Sequence, residues 1–237
     1  MSFARTKIQL PRPRPGLLLP RPALEQRLLN LLTERRAVLL CAPAGYGKTA
    51  LLGRALDQLP GDHALAWISL DEGDDLHRLL SCLTAALEPL DPPWRTAPEG
   101  LMAAAGRPQA QQAVVDELVN ALDQCEVPHG VIVLDDLHHI EDPACLAFLD
   151  LWLQRASPRW TLVLASRHEP PLRLARLRAS EELGELRQDA LRLERQEVQA
   201  LVQGAGLDAA AAETLYQRTD GWAAGLRLAL SGGKSLG

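Results

Sequence analysis

Four short apolar runs alternate with longer segments of helical periodicity along the first two thirds of the chain. The runs cover residues 37–41, 64–70, 130–134 and 160–165, and each is nearly continuous in apolar side chains. Such continuity is typical of strands that are buried on both faces of a sheet. Because strands that alternate with helices form α/β folds, the pattern predicts a parallel sheet with helices on both faces.

Segments of helical periodicity connect and follow these runs. One helix is predicted before the first run, at residues 22–35, and helices are predicted between the runs from residue 48 to about residue 59 and at residues 76–87, 109–122 and 143–154. After residue 172 the pattern changes, and short segments at residues 185–187 and 191–193 favour an edge strand. Three amphipathic stretches then predict a small helical lid, at residues 196–202, 209–217 and 222–230.

Proline and glycine mark the irregular segments. Residues 8–22 hold five prolines and predict an extended arm, which Leu17, Leu18 and Leu19 anchor on the domain. Residues 90–108 predict an irregular loop, and the Gly/Ser-rich end predicts a linker. The chain therefore divides into an arm (1–22), an α/β domain (23–190), a helical lid (191–230) and a linker (231–237).

A glycine-rich loop joins the first apolar run to the helix that follows it. Its sequence APAGYGKT, residues 42–49, follows the pattern G-x-x-x-x-G-K-[ST], except that Ala42 replaces the first glycine. Small residues suit this place because backbone N–H groups at a helix start must close around phosphate oxygens. The predicted nucleotide-binding residues are Ala44, Gly45, Tyr46, Gly47, Lys48, Thr49 and Ala50.

Two neighbouring motifs supply charge to a nucleotide in this loop. Lys48 places a positive charge at the β- and γ-phosphates of ATP or ADP, and the Thr49 hydroxyl is a ligand for Mg²⁺. The third run ends in Asp135 and Asp136, as a Walker B strand does. We expect Asp135 to bind the Mg²⁺ together with Thr49, and Asp136 to polarise an attacking water.

Arg167 follows the fourth run and completes the predicted catalytic set of Asp135, Asp136 and Arg167. The carboxyl ends of parallel strands meet at one edge of a sheet, so we expect it to reach the γ-phosphate. The alternative is a salt bridge to Asp136 or Glu169 that braces the loop. Residues 64–87 lie between the glycine loop and the acids, which fits P-loop ATPases in which another strand separates the two.

Other polar residues carry weaker signals. Four acids within residues 71–75 precede a predicted helix, where a solvated acidic cap is favoured over a functional carboxylate. His138 and His139 have no matching cysteine or histidine nearby and are interpreted as loop or helix-start residues rather than metal ligands. The four cysteines are far apart and form no C-x-x-C pair, which favours reduced, buried thiols.

Composition limits the class of protein. The hydrophobic share of 47% and the charged share of 23% are ordinary for a soluble globular chain. A formal net charge of −5 argues against nucleic-acid binding by this segment itself. The start lacks the apolar core of a signal peptide, and no run approaches the length of a membrane span. We therefore expect a cytoplasmic protein with no membrane partner.

Six motifs in register resemble one family, the STAND ATPases of the MalT type, which are large ATP-dependent LuxR-like transcriptional activators. The motifs, in chain order, are TKIQLPRP, APAGYGKTALL, AWISLDEGDD, VIVLDDLHHI, LVLASRHEPPLRLARLR and GWAAGLRLAL. The resemblance implies a P-loop NTPase fold of the ASCE type with a helical lid. It assigns Lys48 and Thr49 to the Walker A pair, Asp135 to the Walker B acid and Arg167 to the sensor of the γ-phosphate.

The same resemblance implies a regulatory switch with slow ATP hydrolysis. In the family, ADP holds the module closed, and ATP with an inducer opens it for self-association. A winged-helix piece, a helical-repeat sensor and a DNA-binding helix-turn-helix follow, so we expect this chain to be the N-terminal part of a longer protein that contacts DNA only through its C-terminal domain. The lid motif often reads GWP in relatives, whereas here Ala223 follows Gly221 and Trp222.

The alternative is an enzyme for which turnover is the function, such as an AAA-type motor ATPase or a small-molecule kinase. A kinase needs a pocket for the phosphoryl acceptor, and no acceptor residues stand out in the sequence. A motor needs an arginine finger from a neighbouring subunit. Slow turnover with tightly bound ADP distinguishes the switch from both enzymes.

Overall fold

Five parallel strands form a sheet in the computed structural model, which describes residues 3–11, 20–96, 100, 101, 103 and 110–232. The order across the sheet is β2-β3-β4-β1-β5. The strands are β1 (Ala37–Cys41), β2 (Ala64–Ser69), β3 (Gly130–Asp135), β4 (Trp160–Ser166) and β5 (Leu183–Arg187). Every pairing between neighbours is parallel, so the predicted α/β fold with a parallel sheet is confirmed.

The helices follow the predicted periodicity closely. The longer ones are α1 (Pro22–Glu34), α2 (Lys48–Leu56), α3 (Leu76–Leu87), α4 (Gln111–Asp123) and α5 (Pro143–Arg155) before β4, then α8 (Arg195–Gly204), α9 (Ala209–Thr219) and α10 (Ala223–Gly232). The short ones are α6 (Ala175–Ala179) and α7 (Gln188–Leu191), together with 3₁₀ turns at Arg5–Ile8, Glu88–Leu90 and Leu137–His139.

The sheet buries one hydrophobic cluster on each face. Alternate strand residues point to opposite faces, so Leu39 and Leu134 join one cluster while Val38 and Val133 join the other. The first cluster includes buried residues of α3, α4 and α5, and the second includes residues of α1 and α2. Helices therefore cover both faces, as the apolar runs predicted.

A third, smaller cluster lies within the last part of the chain. Its buried members are Leu193, Val198, Val202, Ala212 and Leu226, which come from α8, α9, α10 and the segment before them. The three predicted lid helices are therefore present and share a core of their own.

One detail of the sequence prediction needs correction. Residues 185–187 lie in the edge strand β5, but residues 191–193 form no strand, because Leu191 ends the short helix α7. Another strand does separate the glycine loop from the acids, as predicted: β4 lies between β1 and β3 in the sheet, whereas β2 is at the far edge. The helices α6 and α7 were missed because four or five residues are too few to show a period.

The acidic run after β2 is only partly solvated, contrary to its interpretation as a solvated cap. Asp75 caps α3 by accepting a hydrogen bond from the backbone N–H of Arg78 at 2.8 Å. Asp74, however, is buried and pairs with the buried Lys7 at 2.5 Å. Lys7 belongs to the first 3₁₀ turn, so this ion pair fastens the N-terminal segment beside β2.

Some predictions fall on residues outside the described ranges. The anchor Leu17, Leu18 and Leu19, part of the loop predicted at 90–108, and residues 233–237 of the predicted linker belong to this group. Across the described part of the chain, no helix combines the length and apolarity that a membrane crossing requires.

Candidate functional site: a phosphate loop beneath a helical lid

Three central strands bring the predicted site residues to one edge of the sheet. β4 pairs with β1 on one side and with β3 on the other. The glycine loop follows β1, Arg167 follows β4, and Asp135 ends β3. Because all three strands run in the same direction, these residues meet at the carboxyl edge, where ligands bind in open parallel sheets.

The glycine loop leads directly into the N-terminus of α2. Gly47 precedes the first helical residue, Lys48, so the free backbone N–H groups of the first helical turn lie at the end of the loop. Gly45 has a φ of +81°, and a Cβ there would lie 2.5 Å from the Cβ of Ala224 and 2.6 Å from Nε1 of Trp222. Only glycine fits this backbone conformation and the close approach of the lid.

The side chain of Lys48 lies along the loop. It is buried, and its Nζ donates to the carbonyl oxygen of Ala42 at 2.7 Å and to that of Pro43 at 3.2 Å. Burial lowers the pKa of Lys48, while the charges of Asp135 and Asp136 oppose that change. The ammonium group is thus held at the loop by weak neutral acceptors, which a phosphate would outcompete.

Thr49 and Asp135 make the most direct contact of the site. The Thr49 hydroxyl donates to Oδ2 of Asp135 at 2.8 Å, and Oδ1 accepts the backbone N–H of Asp136 at 3.0 Å. Asp135 is 2% exposed, and burial raises the pKa of its carboxyl group. A hydroxyl and a carboxylate oxygen side by side are hard oxygen donors, which fit Mg²⁺ together with nucleotide phosphates.

Asp136 and Arg167 differ from this pair in being accessible. Asp136 has a φ of 57°, and its side chain is 42% exposed. Arg167 is exposed and makes no hydrogen bond or ion pair with any described residue. Its charge nevertheless lowers the pKa of Lys48, which places it within electrostatic range of the loop.

The structure contains no salt bridge between Arg167 and either Asp136 or Glu169, the two partners that the alternative interpretation requires. Glu169, one of the two predicted partners, is occupied by Arg178 and by Arg187, the latter at 2.8 Å. Asp136, the other, has no ion pair with Arg167. The guanidinium of Arg167 is therefore available to an anion at this edge.

The lid rests on the glycine loop itself. Nε1 of Trp222 donates to the carbonyl oxygen of Ala44 at 3.0 Å, and the backbone N–H of Ala224 donates to that of Gly45 at 3.0 Å. On the other side of the loop, Tyr46 accepts a hydrogen bond from Gln188 at 3.0 Å. With Ala223 between Trp222 and Ala224, the lid is in direct contact with the loop.

A cavity of about 540 Å³ lies between the loop, α1, α2 and the lid. Its apolar lining includes Leu191, Leu201 and Leu226 from the last part of the chain. Its polar lining includes Arg21 and Glu25. The volume lies in the range of small-molecule sites. No motif in the sequence signals this cavity, because its walls come from segments far apart in the chain.

Arg21 binds residues 191–193, the segment that joins the α/β domain to the lid and is named the hinge. Its guanidinium donates to the carbonyl oxygens of Leu191 at 2.8 Å and Arg192 at 2.7 Å, and its Nε donates to Glu197 at 2.7 Å. Within the lid, the backbone N–H of Leu193 donates to the carbonyl oxygen of Gly221 at 2.9 Å. Nothing in the proline-rich sequence around Arg21 signals this role.

Comparison with known proteins agrees with this geometry. Residues 31–170 match the family model described as AAA domain. The chain is 31% identical to the serine/threonine-protein kinase PknK of Mycobacterium tuberculosis over 201 residues, which cover 83% of this chain and 18% of the kinase. The chain thus spans less than a fifth of the length of that curated relative.

Two solved structures share the fold at low sequence identity. The Walker-type ATPase of Pyrococcus abyssi has a TM-score of 0.51 and 14% identity, with 88% of this chain and 65% of that chain covered. A chain of the Drosophila ORC bound to DNA has a TM-score of 0.51 and 12% identity, with 88% and 52% covered. The chain belongs to the AAA domain family and is a nucleotide-binding P-loop ATPase domain.

Proposed function

We propose that this chain is the nucleotide switch of a signal-responsive transcriptional activator of the MalT type. In the resting state ADP occupies the phosphate loop and the lid is closed on it. ATP shifts the population towards an open lid that allows the full-length protein to self-associate. DNA is contacted through a C-terminal domain that lies outside this sequence.

The observation that carries this proposal is the contact of the lid with the loop. Trp222 and Ala224 donate to carbonyl oxygens of Ala44 and Gly45, which belong to the segment that binds phosphate. A change in the conformation of the loop on nucleotide exchange would therefore alter two hydrogen bonds that hold the lid. This coupling has the form that a switch requires, a mobile element whose position depends on the ligand.

The cavity gives the nucleoside a place beside the phosphates. Gly45, Tyr46 and Gly47 belong to the glycine loop and also line the cavity. A nucleotide with its phosphates at the N-terminus of α2 therefore extends its base towards the leucines of the lid. Lys48, Thr49 and the backbone of residues 44–50 bind the phosphates. Apolar walls favour the faces of the base, and a few polar groups fix its orientation.

Hydrolysis in this proposal is slow. Asp136 orients a water for attack on the γ-phosphate, and Arg167 binds the terminal phosphate oxygens. Thr49 and Asp135 would hold Mg²⁺, which would supply positive charge beside the phosphates. Asp136 is a shorter acid than the glutamate usual at this place and leaves the water less closely held.

The domain division is part of the same proposal. Residues 23–190 bind the nucleotide and residues 191–230 form the lid. The separate cluster of buried residues from Leu193 to Leu226 supports this division. The arm, residues 1–22, carries Arg21, which ties the two units together at the hinge.

Hydrogen exchange measured with ADP and with a non-hydrolysable ATP analogue tests the switch. We expect the amides of α8 to α10 to exchange faster with the ATP analogue, whereas those of β1, β3 and β4 stay unchanged.

Steady-state turnover should fall well below the roughly 1 s⁻¹ at the low end of ordinary enzymes. Light scattering should find the chain monomeric with ADP, and chromatography of denatured protein should identify the nucleotide that copurifies.

An Asp136→Asn variant is the matched control, because it keeps the size of the side chain and removes the charge that orients the water. This variant should bind ATP without hydrolysing it, and its lid should stay in the open state that ATP favours. Identical lid exchange in both nucleotides, or turnover in the ordinary enzyme range, would contradict the switch and favour an enzyme.

A further inference from the structure

His138 is a buried ring without a hydrogen-bonding partner at the carboxyl edge of the sheet. Its side chain is 7% exposed, and neither Nδ1 nor Nε2 has a partner among the described residues. Buried polar groups in native proteins are nearly always satisfied, because an unpaired one loses its hydration without compensation. An apolar side chain in the same 3₁₀ turn would avoid that cost, so the ring calls for an explanation.

The surroundings of His138 belong to the predicted hydrolytic site. Its Nδ1 lies 3.8 Å from Oδ1 of Asp136, too far for a hydrogen bond but close enough for a small rotation to make one. The ring of His139 lies 4.1 Å away and that of His168 lies 6.0 Å away, centroid to centroid. His138 thus faces the acid that is proposed to orient the water.

The ring is neutral at physiological pH. Burial lowers the pKa of His138 to about 4, the charges of His139 and Arg167 act in the same direction, and Asp136 opposes them. A neutral imidazole carries one N–H donor and one acceptor. A metal role does not fit, because the described residues contain no group of three or more His, Cys, Asp or Glu that could hold a metal ion.

We propose that His138 is a positioning residue for Asp136. When nucleotide is bound, Nδ1–H of the neutral ring donates to the carboxylate of Asp136 and fixes the rotamer in which that carboxylate orients the attacking water. Asp136 needs such support because its side chain is 42% exposed and otherwise free to rotate. This inference rests on the proposed hydrolytic function.

The first test compares three variants under single-turnover conditions. His138→Leu removes the donor, His138→Asn restores an N–H donor near the place of Nδ1, and His139→Gln changes the neighbouring ring as a matched control. We expect His138→Leu to slow hydrolysis by at least about tenfold, without weaker binding of ATP or ADP and without a lower melting temperature. His138→Asn should recover most of the rate, and His139→Gln should stay within about twofold.

A second readout is independent of turnover. In protein labelled with ¹⁵N-histidine, the Nδ1 resonance of His138 should move when Asp136 is changed to Asn, with Mg²⁺ and ADP present. The resonances of His63 and His129, which lie elsewhere, serve as internal controls. Unchanged hydrolysis in His138→Leu, or an unmoved His138 resonance in Asp136→Asn, would overturn the inference.

Failure of the proposed function is distinguishable from failure of this inference. A protein that binds ATP or ADP but turns it over in the ordinary enzyme range contradicts the proposed switch, while the rate loss in His138→Leu and the resonance shift in Asp136→Asn still test the contact between His138 and Asp136. A rate loss that comes with a lower melting temperature in His138→Leu and no rescue by His138→Asn would mean a packing role instead.

Discussion

The carboxyl edge of the sheet and the helical lid are built in contrasting ways. Every residue of β1, β3 and β4 is buried, so the strand ends that carry the glycine loop, Asp135 and Arg167 are fixed by the two large clusters. The lid has five buried residues in its cluster, and exposed Trp222 and Leu228 lie on its surface. Its attachment includes the hydrogen bonds of Arg21 and those from the Trp222 side chain and the Ala224 backbone to the glycine loop.

This difference assigns the two regions different mechanical roles. Burial of many apolar side chains makes the sheet edge a rigid platform, which catalytic geometry requires. A single hydrogen bond contributes only about 0.5–1.5 kcal/mol net, so the lid can leave the loop at a cost that nucleotide binding easily supplies. Regions with few buried contacts are the ones that open first.

Removal of the charge of Lys48, at the rigid carboxyl edge of the sheet, should have the largest effect on nucleotide affinity. Lys48→Ala removes the cation that we expect to bind the phosphates, so affinity for both ATP and ADP should fall about 10- to 150-fold. Titration with a fluorescent ADP analogue measures the loss. Lys48→Met, which keeps the apolar stem, should lose as much. Unchanged affinity in either variant would refute the assignment of the loop.

Arg167→Ala should separate the two nucleotides. Because ADP has no γ-phosphate, we expect ATP binding to weaken about 10- to 150-fold while ADP binding hardly changes. Calorimetry with Mg²⁺ measures both dissociation constants. Arg173→Ala, an exposed arginine whose side chain is 84% accessible, is the control and should affect neither. Equal losses for ATP and ADP would mean that Arg167 is no sensor of the γ-phosphate.

Arg21→Lys should loosen the lid without disturbing the sheet. A lysine has one ammonium group and cannot bridge two hinge carbonyls and Glu197 at once. We expect amides of α8 to α10 to exchange about tenfold faster, with β3 unchanged. Arg195→Lys changes an exposed ion pair with Glu213 and should have almost no effect. Equal acceleration in β3 would show global destabilisation rather than a hinge role.

Glu25→Gln should have the smallest effect, and it should depend on pH. Burial raises the pKa of Glu25, but hydrogen bonds from the Arg54 side chain, the Arg21 backbone and Gln58 outweigh it and hold the pKa below the ordinary value of 4.5. A lowered pKa means that the carboxylate stabilises the fold above about pH 4.5, and that this stability is lost as the pH falls through the folded value.

We therefore expect Glu25→Gln to lower the melting temperature at neutral pH by about 2–4 °C. The curves of the wild type and the variant should converge as the pH drops below 4.5, the ordinary value for glutamate. Glu34→Gln, an exposed acid on the same helix, is the control. A difference in melting temperature that persists in acid would mean that packing, not charge, is responsible.

Sequence alone was sufficient for the elements whose information is local. The four apolar runs each became a strand within about one residue of the prediction. The APAGYGKT loop and the Asp135–Asp136 strand end were identified because their chemistry depends on residue types at fixed spacing. Periodicity within residues 196–202, 209–217 and 222–230 likewise identified the helices of the lid.

Tertiary structure decided what depends on contacts between distant segments. The position of β4 between β1 and β3 follows from packing of the whole sheet, because the order of strands along the chain does not determine which strands are neighbours. Arg21 lies about 170 residues before its partners Leu191 and Arg192 in the chain. The cavity has lining residues from both of these segments. Local patterns determine local backbone, but burial, as at Asp74 and His138, depends on which segments the fold brings together.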